Sequence, residues 1–367
     1  ALIFKSQSIT FSETKNIIEN ISQLMQMHNF RKKPIIVACF ENGFAMPLIA
    51  LAASKLGATI IPISPTLRKE HIKKILKIAQ PNFVLSSLKS NKNLKEAVEH
   101  YQNIRMVHFI YKSSTDLYNP DIFILNESKS QNSINTIYKT LNTTFIMNFT
   151  SGSTGNPKPV LISEESKINR LELGTIKLFN LREEDRILIT TPQYHSLGFR
   201  QSLLPLVLGG VGVILDKFNP QSWVETAETN KITFCISVST QLAQIADTMT
   251  NDNKKLCPSI KKIVSSSAPL DIDTRNKCLN HFACEIFETY GLSETGFVTL
   301  KKLKKDNEQN NSIGKPLPFV SVKLFDAHKN NFTHETNTTG EIAVKCSSIF
   351  DGYGNDLNEH PKYIFKD

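Results

Sequence analysis

Most of the chain alternates between strand-like and helix-like segments, and few folds accommodate such a pattern. Short aliphatic and β-branched runs begin at about residue 33 and recur to about residue 290. The first unit is a strand at 33–40, an apolar helix at 44–56 that ends at Gly57, and a second strand at 58–63. Such alternation is typical of βα units arranged around mostly parallel sheets.

A polar stretch interrupts this alternation and predicts a boundary. Residues 87–133 mix Asn, Lys and Ser with weak strands, and the pattern restarts with a strand at 144–148. Beyond Thr295 the helical patterns disappear, and 320–325 and 340–345 are typical of antiparallel strands. We therefore predict an α/β fold: two βα-layered subdomains with mostly parallel sheets plus a small antiparallel β-rich subdomain. In chain order these parts are residues 1–135, 136–300 and 301–367.

Composition excludes several classes of protein. Apolar residues make up 40% of the chain and charged residues 21%, the balance of a globular protein. The longest apolar run, 44–53, is broken by Pro47 and is far shorter than the roughly 20 residues that a membrane span needs. The net charge is +9, but the basic residues are scattered and not interleaved with aromatics, so we expect no nucleic-acid partner. The six cysteines show no Cys-x-x-Cys spacing, and the N-terminus shows no signal-peptide pattern, so we expect a cytoplasmic protein.

The segment from Thr150 to Lys158 is the clearest chemical motif. It reads Thr-Ser-Gly-Ser-Thr-Gly-Asn-Pro-Lys and directly follows a predicted strand. Glycines let backbone N–H groups approach phosphate oxygens, hydroxyls add donors, and a lysine neutralises charge. It is not a Walker A loop, because Pro157 and Pro159 flank the lysine and prevent a helix from starting there. By composition alone, a phosphate-binding loop and a flexible surface turn explain it equally well.

Further motifs follow in a fixed order, and together they resemble the adenylate-forming superfamily of acyl-CoA synthetases, luciferases and peptide-synthetase adenylation domains. The similar segments are a Gly-Ala strand, a Pro-x-x-His-x-x-Gly turn, an adenine-side loop, a Tyr-Gly-x-Ser-Glu signature and two later Gly-containing markers. In this sequence they are residues 57–65, 192–198, 265–270, 290–295, 314–316 and 340–342.

The resemblance implies an ATP site with bound Mg²⁺. Its phosphate loop would be Thr150, Ser151, Gly152, Ser153, Thr154, Gly155 and Lys158, and its adenine side would be Ser267, Ala268, Pro269, Glu288, Thr289, Tyr290 and Gly291. Ser293 would contact the α-phosphate, and Glu294 would hold Mg²⁺, which prefers oxygen ligands. Lys158, Ser293 and Glu294 would be the catalytic residues. Taken alone, Tyr290 and Glu294 would be read as a half-buried aromatic and a solvated acid.

The resemblance also implies a site for the acid that is activated. The residues concerned are His195, Gly198, Phe199, Ser265 and Leu292. His195 would shape the acyl site and its thiol entrance; it is not expected to be a general base, because a carboxylic acid is already ionised at neutral pH.

The implied reaction joins a carboxylic acid to ATP, giving acyl-AMP and pyrophosphate, with later transfer to coenzyme A or to the phosphopantetheine of an acyl or peptidyl carrier protein. No Asp stands near His195 to pair with a substrate ammonium, which favours an acyl or aryl acid over an amino acid, although Asp216 could take that role. The alternatives are a non-catalytic nucleotide-binding or carrier-docking module and an amino-acid adenylation domain.

This sequence departs from the family pattern in three places. Pro159 replaces a common Gly, and the Ser-Ser-Ser run at 265–267 replaces a stretch that usually contains Gly. The sequence stops at Asp367, before the segment in which similar enzymes carry a ribose-binding acid, a hinge and a carboxylate-bridging Lys. We therefore expect the mobile C-terminal domain to be absent from these residues and the isolated chain to be an incomplete acid–thiol ligase.

Overall fold

The computed structural model describes residues 1–26, 33–87, 92–99, 101, 104–110, 121–125, 143–151, 157–248, 256–305, 312–326, 331–333 and 338–354. Its helices are α1 (Phe11–Gln26), α2 (Ala45–Lys55), α3 (Lys69–Ala79), α4 (Lys92–Val98), α5 (Glu164–Leu171), α6 (Ser196–Leu208), α7 (Pro220–Thr229), α8 (Ser239–Asp247) and α9 (Ile272–His281). A π-helical segment, Glu172–Lys177, continues α5.

The strands follow in chain order. They are β1 (Leu2–Phe4), β2 (Gln7–Ile9), β3 (Ile35–Cys39), β4 (Thr59–Ile63), β5 (Phe83–Ser87), β6 (Arg105–Ile110), β7 (Asp121–Leu125), β8 (Thr144–Ser151), β9 (Pro157–Ser163), β10 (Arg186–Ile189), β11 (Val211–Ile214), β12 (Phe234–Val238), β13 (Lys262–Ser266), β14 (Glu285–Leu292), β15 (Gly296–Lys302), β16 (Lys315–Pro316), β17 (Val320–Asp326), β18 (Asn331–Thr333), β19 (Glu341–Cys346) and β20 (Gly352–Tyr353).

These strands form three sheets. A nine-stranded sheet has the order β16-β15-β14-β13-β12-β10-β11-β1-β2, an eight-stranded sheet has the order β20-β9-β8-β4-β3-β5-β6-β7, and a three-stranded sheet has the order β18-β17-β19. The strands from β14 to β1 in the first sheet and from β8 to β6 in the second are parallel, whereas the small sheet is antiparallel. The predicted α/β class with mostly parallel sheets and an antiparallel unit is confirmed.

The two large sheets face each other across a layer of helices. One buried cluster combines Ile36 of β3, Ile187 of β10, Leu48 of α2 and Leu204 of α6. A second cluster, around Trp223, covers the opposite side of the nine-stranded sheet with α7, α8 and α9, and a third packs α3 and α4 on the eight-stranded sheet. The apolar helix predicted at 44–56 is therefore apolar on all sides because it lies between two sheets.

Sheet membership does not follow the predicted division between residues 135 and 136. β8 and β9 pair within the eight-stranded sheet, with Ile146 opposite Ile60 of β4, whereas β1 pairs with β11 in the nine-stranded sheet. The division of the chain into domains stays a prediction. In the described parts of the chain no helix is both long and apolar enough to cross a membrane.

Candidate functional site

A cavity of about 420 Å³ opens at the carboxyl edge of the nine-stranded sheet. It is bordered by Thr191 after β10, Val238 at the end of β12 and Ser266 at the end of β13, with α5 and α6 forming its sides. In open α/β sheets, ligands bind in crevices outside the carboxyl ends of the strands. The topology of the chain therefore places this cavity where a ligand site is expected.

The predicted phosphate loop connects β8 and β9, which form an antiparallel hairpin. Thr150 lies opposite Lys158 in the register of this hairpin, and Lys158 is exposed. A strand and not a helix follows the loop, as expected for a motif distinct from Walker A. Gly152, Ser153, Thr154 and Gly155 lie outside the described residues, as does the side chain of Ser151.

The Tyr-Gly-Leu-Ser-Glu segment forms the end of β14 and the turn into β15. The pairing register shifts between Tyr290 and Gly291, and a Cβ at position 291 would lie 2.0 Å from the carbonyl oxygen of Gly296. No side chain fits at that distance, so this close approach of two backbones requires glycine at 291. Ser293 and Gly291 both line the cavity.

Arg170 of α5 fixes this turn to the rest of the molecule. Its guanidinium donates to the backbone oxygens of Ser293 at 2.8 Å, Glu294 at 2.9 Å and Ser348 at 2.9 Å. Burial lowers the pKa of Arg170 to about 10, which leaves it charged at neutral pH. The helix itself begins at Ser163, whose hydroxyl accepts from the Ser166 N–H.

Tyr353 links Glu294 to the β8–β9 hairpin, which carries the predicted phosphate loop. Its hydroxyl donates to Glu294 Oε1 at 3.0 Å, and the Lys158 ammonium lies 5.8 Å from the centre of its ring. β20, which carries Tyr353, pairs with β9 directly after the loop. Burial and then the neighbouring carboxylate raise the pKa of Tyr353 to about 12, so the phenol stays protonated and remains a donor. The predicted lysine and the predicted acid thus flank one tyrosine.

Glu294 is suited to Mg²⁺ only in combination with phosphate. No group of three or more His, Cys, Asp or Glu side chains in the described segments is arranged to hold a metal ion. Mg²⁺ in nucleotide sites commonly takes one or two carboxylates and completes its octahedron with phosphate oxygens and water. A single half-buried carboxylate that Tyr353 links to the predicted phosphate loop fits that donor set.

The predicted adenine side is held in place by Glu288. The Leu270 N–H donates to Glu288 Oε1 at 2.8 Å, which ties the loop that contains Ala268 and Pro269 to β14. Ala268 and Pro269 are exposed, and Ser267 lines the cavity with a φ of 81°.

Two further predicted adenine-side residues lie on β14. Tyr290 is half-buried, and Thr289 donates its hydroxyl to the Thr299 carbonyl at 2.8 Å. Glu288 and Thr289 are therefore already engaged in supporting the predicted site.

The predicted acid-site residues divide into two groups. His195 and Leu292 line the cavity, whereas Phe199 and Ser265 are buried beside it and do not line it. Alternate residues of a strand point to opposite faces, and on β13 it is Ser266 that faces the cavity.

Gly198 is required for packing, since a Cβ there would lie 2.1 Å from the Pro192 carbonyl oxygen. Burial lowers the pKa of His195, so its imidazole is neutral at pH 7.

Sequence reasoning missed the cationic side chains of the cavity. Lys167 and Arg170, three residues apart on one face of α5, and Arg200 of α6 all line it. Tyr353 was missed as well. In the sequence these residues carry no motif that separates them from surface lysines, arginines and tyrosines.

Comparisons with known proteins identify relatives of this chain. Residues 1–354 match the family model described as AMP-binding enzyme. The luciferin 4-monooxygenase of Luciola mingrelica is 25% identical over 95% of this chain and 65% of its own length. The 2-succinylbenzoate–CoA ligase of Bacillus pumilus is 26% identical over 96% of this chain and 67% of its own length. The chain thus spans about two thirds of the length of these relatives.

The fold is also that of known enzymes. The solved o-succinylbenzoate CoA synthetase of Bacillus subtilis, in complex with its acyl-adenylate intermediate, superimposes with a TM-score of 0.81 at 22% identity, covering 98% of this chain and 69% of that one. The resemblance to the adenylate-forming superfamily is confirmed, and this chain belongs to the family of AMP-binding enzymes.

Proposed function

We propose that the protein activates a carboxylic acid with ATP, forming acyl-AMP and releasing pyrophosphate, and that the acyl group then passes to the thiol of coenzyme A or of a carrier protein. The observation that supports this most is the position of Lys158 and Glu294 on either side of Tyr353, with Glu294 directly after Ser293, which lines the cavity. The proposed polyphosphate contacts and the proposed acid pocket would thereby be adjacent.

In the reaction, a carboxylate oxygen attacks the α-phosphorus, and the bond from that phosphorus to the bridging oxygen of pyrophosphate breaks. No base is needed because the acid is ionised at neutral pH. Lys158 and the hydroxyls of the phosphate loop would neutralise the charge that develops on the departing pyrophosphate, the kind of preorganised electrostatic stabilisation that often dominates catalysis. Glu294 would hold Mg²⁺ together with phosphate oxygens, and the ion would add positive charge at the triphosphate.

The acid site supports an acyl or aryl acid and not an amino acid. Asp216, the acid that could have paired with an ammonium group, forms an ion pair with Lys5 at 3.0 Å and is not among the residues that line the cavity. The charged side chains described in the cavity wall are cationic. His195, which is neutral at pH 7, would shape the acid site and the path of the thiol.

The function is tested by acid-dependent exchange of labelled pyrophosphate into ATP, using the longest form of the protein that its gene encodes and a panel of carboxylic acids. Exchange that requires one acid identifies both the activity and its substrate. Exchange with none of the acids, in a protein shown to bind ATP, would contradict the proposal and favour a nucleotide-binding module without catalysis.

Lys158→Ala is expected to weaken ATP binding about 10- to 100-fold and to leave AMP binding nearly unchanged. The ammonium is assigned to the β- and γ-phosphates, and a charge-assisted hydrogen bond contributes on the order of 1.5–3 kcal/mol. Calorimetric titration with both nucleotides measures this difference. Lys177→Ala removes an exposed lysine and serves as the control. Equal losses of affinity for ATP and AMP would show that Lys158 does not contact the β- and γ-phosphates.

Glu294→Gln is expected to keep the fold and to raise the Mg²⁺ concentration needed for half-maximal pyrophosphate exchange. A neutral amide is a poorer ligand for a hard dication, while its oxygen still accepts the Tyr353 hydrogen bond. The Mg²⁺ dependence is compared with that of Glu225→Gln, an exposed position on α7. An unchanged Mg²⁺ dependence would show that Glu294 is not at the metal.

A further inference from the structure

The cavity has an exposed mouth and a buried floor of basic side chains. Ser267 and Leu292 at the mouth are exposed, whereas Lys167 and Arg200 retain only 2% and 5% of their accessible surface. We call the side chains of Lys167 and Arg200 the cationic floor. Fully buried lysine and arginine side chains are rare in proteins unless an opposite charge accompanies them.

No protein acid accompanies the cationic floor in the part of the chain that the structure describes. None of the residues that line the cavity there is acidic, and neither Lys167 nor Arg200 forms an ion pair with a described carboxylate. The Nε atom of Arg200 is buried and has no hydrogen-bond partner among these residues. Arg170 differs, because three backbone oxygens accept from its guanidinium.

Aromatic rings hold the two cations in place. The guanidinium of Arg200 lies 3.7 Å from the centre of the Phe297 ring, and the Lys167 ammonium lies 4.9 Å from that of Phe199. Such contacts orient a cation but leave its hydrogen-bonding capacity unused. Both residues line the cavity, so this unused capacity lies at its wall.

The arrangement is unfavourable without a ligand. Burial, together with the neighbouring cations, lowers the pKa of Lys167 well below its ordinary value and that of Arg200 to about 9. Apolar side chains of similar volume commonly give equal or better stability at such positions. A bound anion would offset the cost of burying these two basic side chains, because it supplies both a negative charge and a hydrogen-bond acceptor.

We propose that the acid activated by this protein is a dicarboxylic acid, whose second carboxylate is bound by Lys167 and Arg200 while the reacting carboxylate lies towards Ser293 and the nucleotide. This inference rests on the proposed function, which supplies the reacting carboxylate. It adds the requirement for a second negative charge, which the predicted acid-site residues do not imply.

The test compares linear acids matched in length, hexanoate with adipate and octanoate with suberate. Binding to the ATP-loaded protein is measured by calorimetry, and pyrophosphate exchange gives kcat/KM for each acid. The wild-type protein is expected to prefer one dicarboxylate over its matched monocarboxylate by at least about tenfold, the value of one charge-assisted hydrogen bond. Lys167→Met and Arg200→Met should each lose most of this preference and keep their ATP affinity.

Two further variants separate charge from packing. Arg200→Lys keeps a cation and should retain part of the preference, and Lys177→Met, at an exposed lysine in the π-helical segment that continues α5, should behave as wild type. The inference is overturned by a wild-type protein without preference for either dicarboxylate, or by floor variants that lose ATP affinity as much as acid affinity. Selective dicarboxylate binding without any exchange would instead support the binding of a second carboxylate by Lys167 and Arg200 and contradict the proposed adenylation.

Discussion

Replacing Arg170 with methionine is expected to lower the free energy of unfolding by about 3–5 kcal/mol. The backbone oxygens of Ser293, Glu294 and Ser348 lose their shared charged donor, and within the described ranges only that of Glu294 keeps another one, the Phe350 N–H at 2.7 Å. Leaving one buried acceptor unsatisfied costs about 1–3 kcal/mol, and part of the total is offset because the buried guanidinium no longer has to be desolvated. Denaturant unfolding measures the change.

The same substitution is expected to reduce AMP affinity, since the turn that carries Ser293 and Glu294 loses its attachment to α5. Arg170→Lys should rescue little, because a single ammonium cannot reach the three oxygens that a planar guanidinium does. Arg182→Met, at an exposed arginine, serves as the control. A loss below 1 kcal/mol with unchanged AMP binding would show that these hydrogen bonds do not organise the site.

A second large effect concerns the rate of adenylation. We expect residues 1–367 by themselves to bind ATP. They should form acyl-AMP more slowly, by a factor on the order of 10²–10³, than a protein that also carries the C-terminal domain expected from the resemblance. That domain would bring the carboxylate-bridging Lys, and its closure would exclude water from the cavity. ATP binding relies on contacts to the adenine and the triphosphate, so it should persist without the C-terminal domain.

Pyrophosphate exchange at saturating ATP measures this difference. The extended protein carries either its natural continuation or the corresponding domain of a relative. Comparable rates for the two proteins would show that the catalytic groups are complete within residues 1–367.

The α/β class could be predicted because each βα unit leaves a local pattern. The strand predicted at 58–63 is found as β4, Thr59–Ile63, and the helix predicted at 44–56 is found as α2, Ala45–Lys55. Sheet membership could not be predicted in this way. β1 lies beside β11, more than 200 residues later, and no local pattern records which distant strand completes a sheet.

In the candidate site, too, some residues could be predicted from local sequence patterns and others could not. Two segments carry glycines and hydroxyls at fixed spacing, Thr150 to Lys158 and Tyr290 to Thr295, so their chemistry can be inferred from the sequence. Arg170, Arg200 and Tyr353 act through partners that only folding brings close. Most arginines in proteins are exposed, so a functional role for an arginine buried beside a cavity can be inferred only once the structure shows that burial.

Calorimetric titration of residues 1–367 with ATP and with AMP is the most direct test that the nucleotide site lies within this chain. We expect both nucleotides to bind at one site, ATP more tightly in the presence of Mg²⁺ because only ATP reaches Lys158 and Glu294, and we expect Lys158→Ala to reduce that difference. Binding of neither nucleotide by the folded chain would contradict the account, and so would equal binding of ATP and AMP that does not change in the variant.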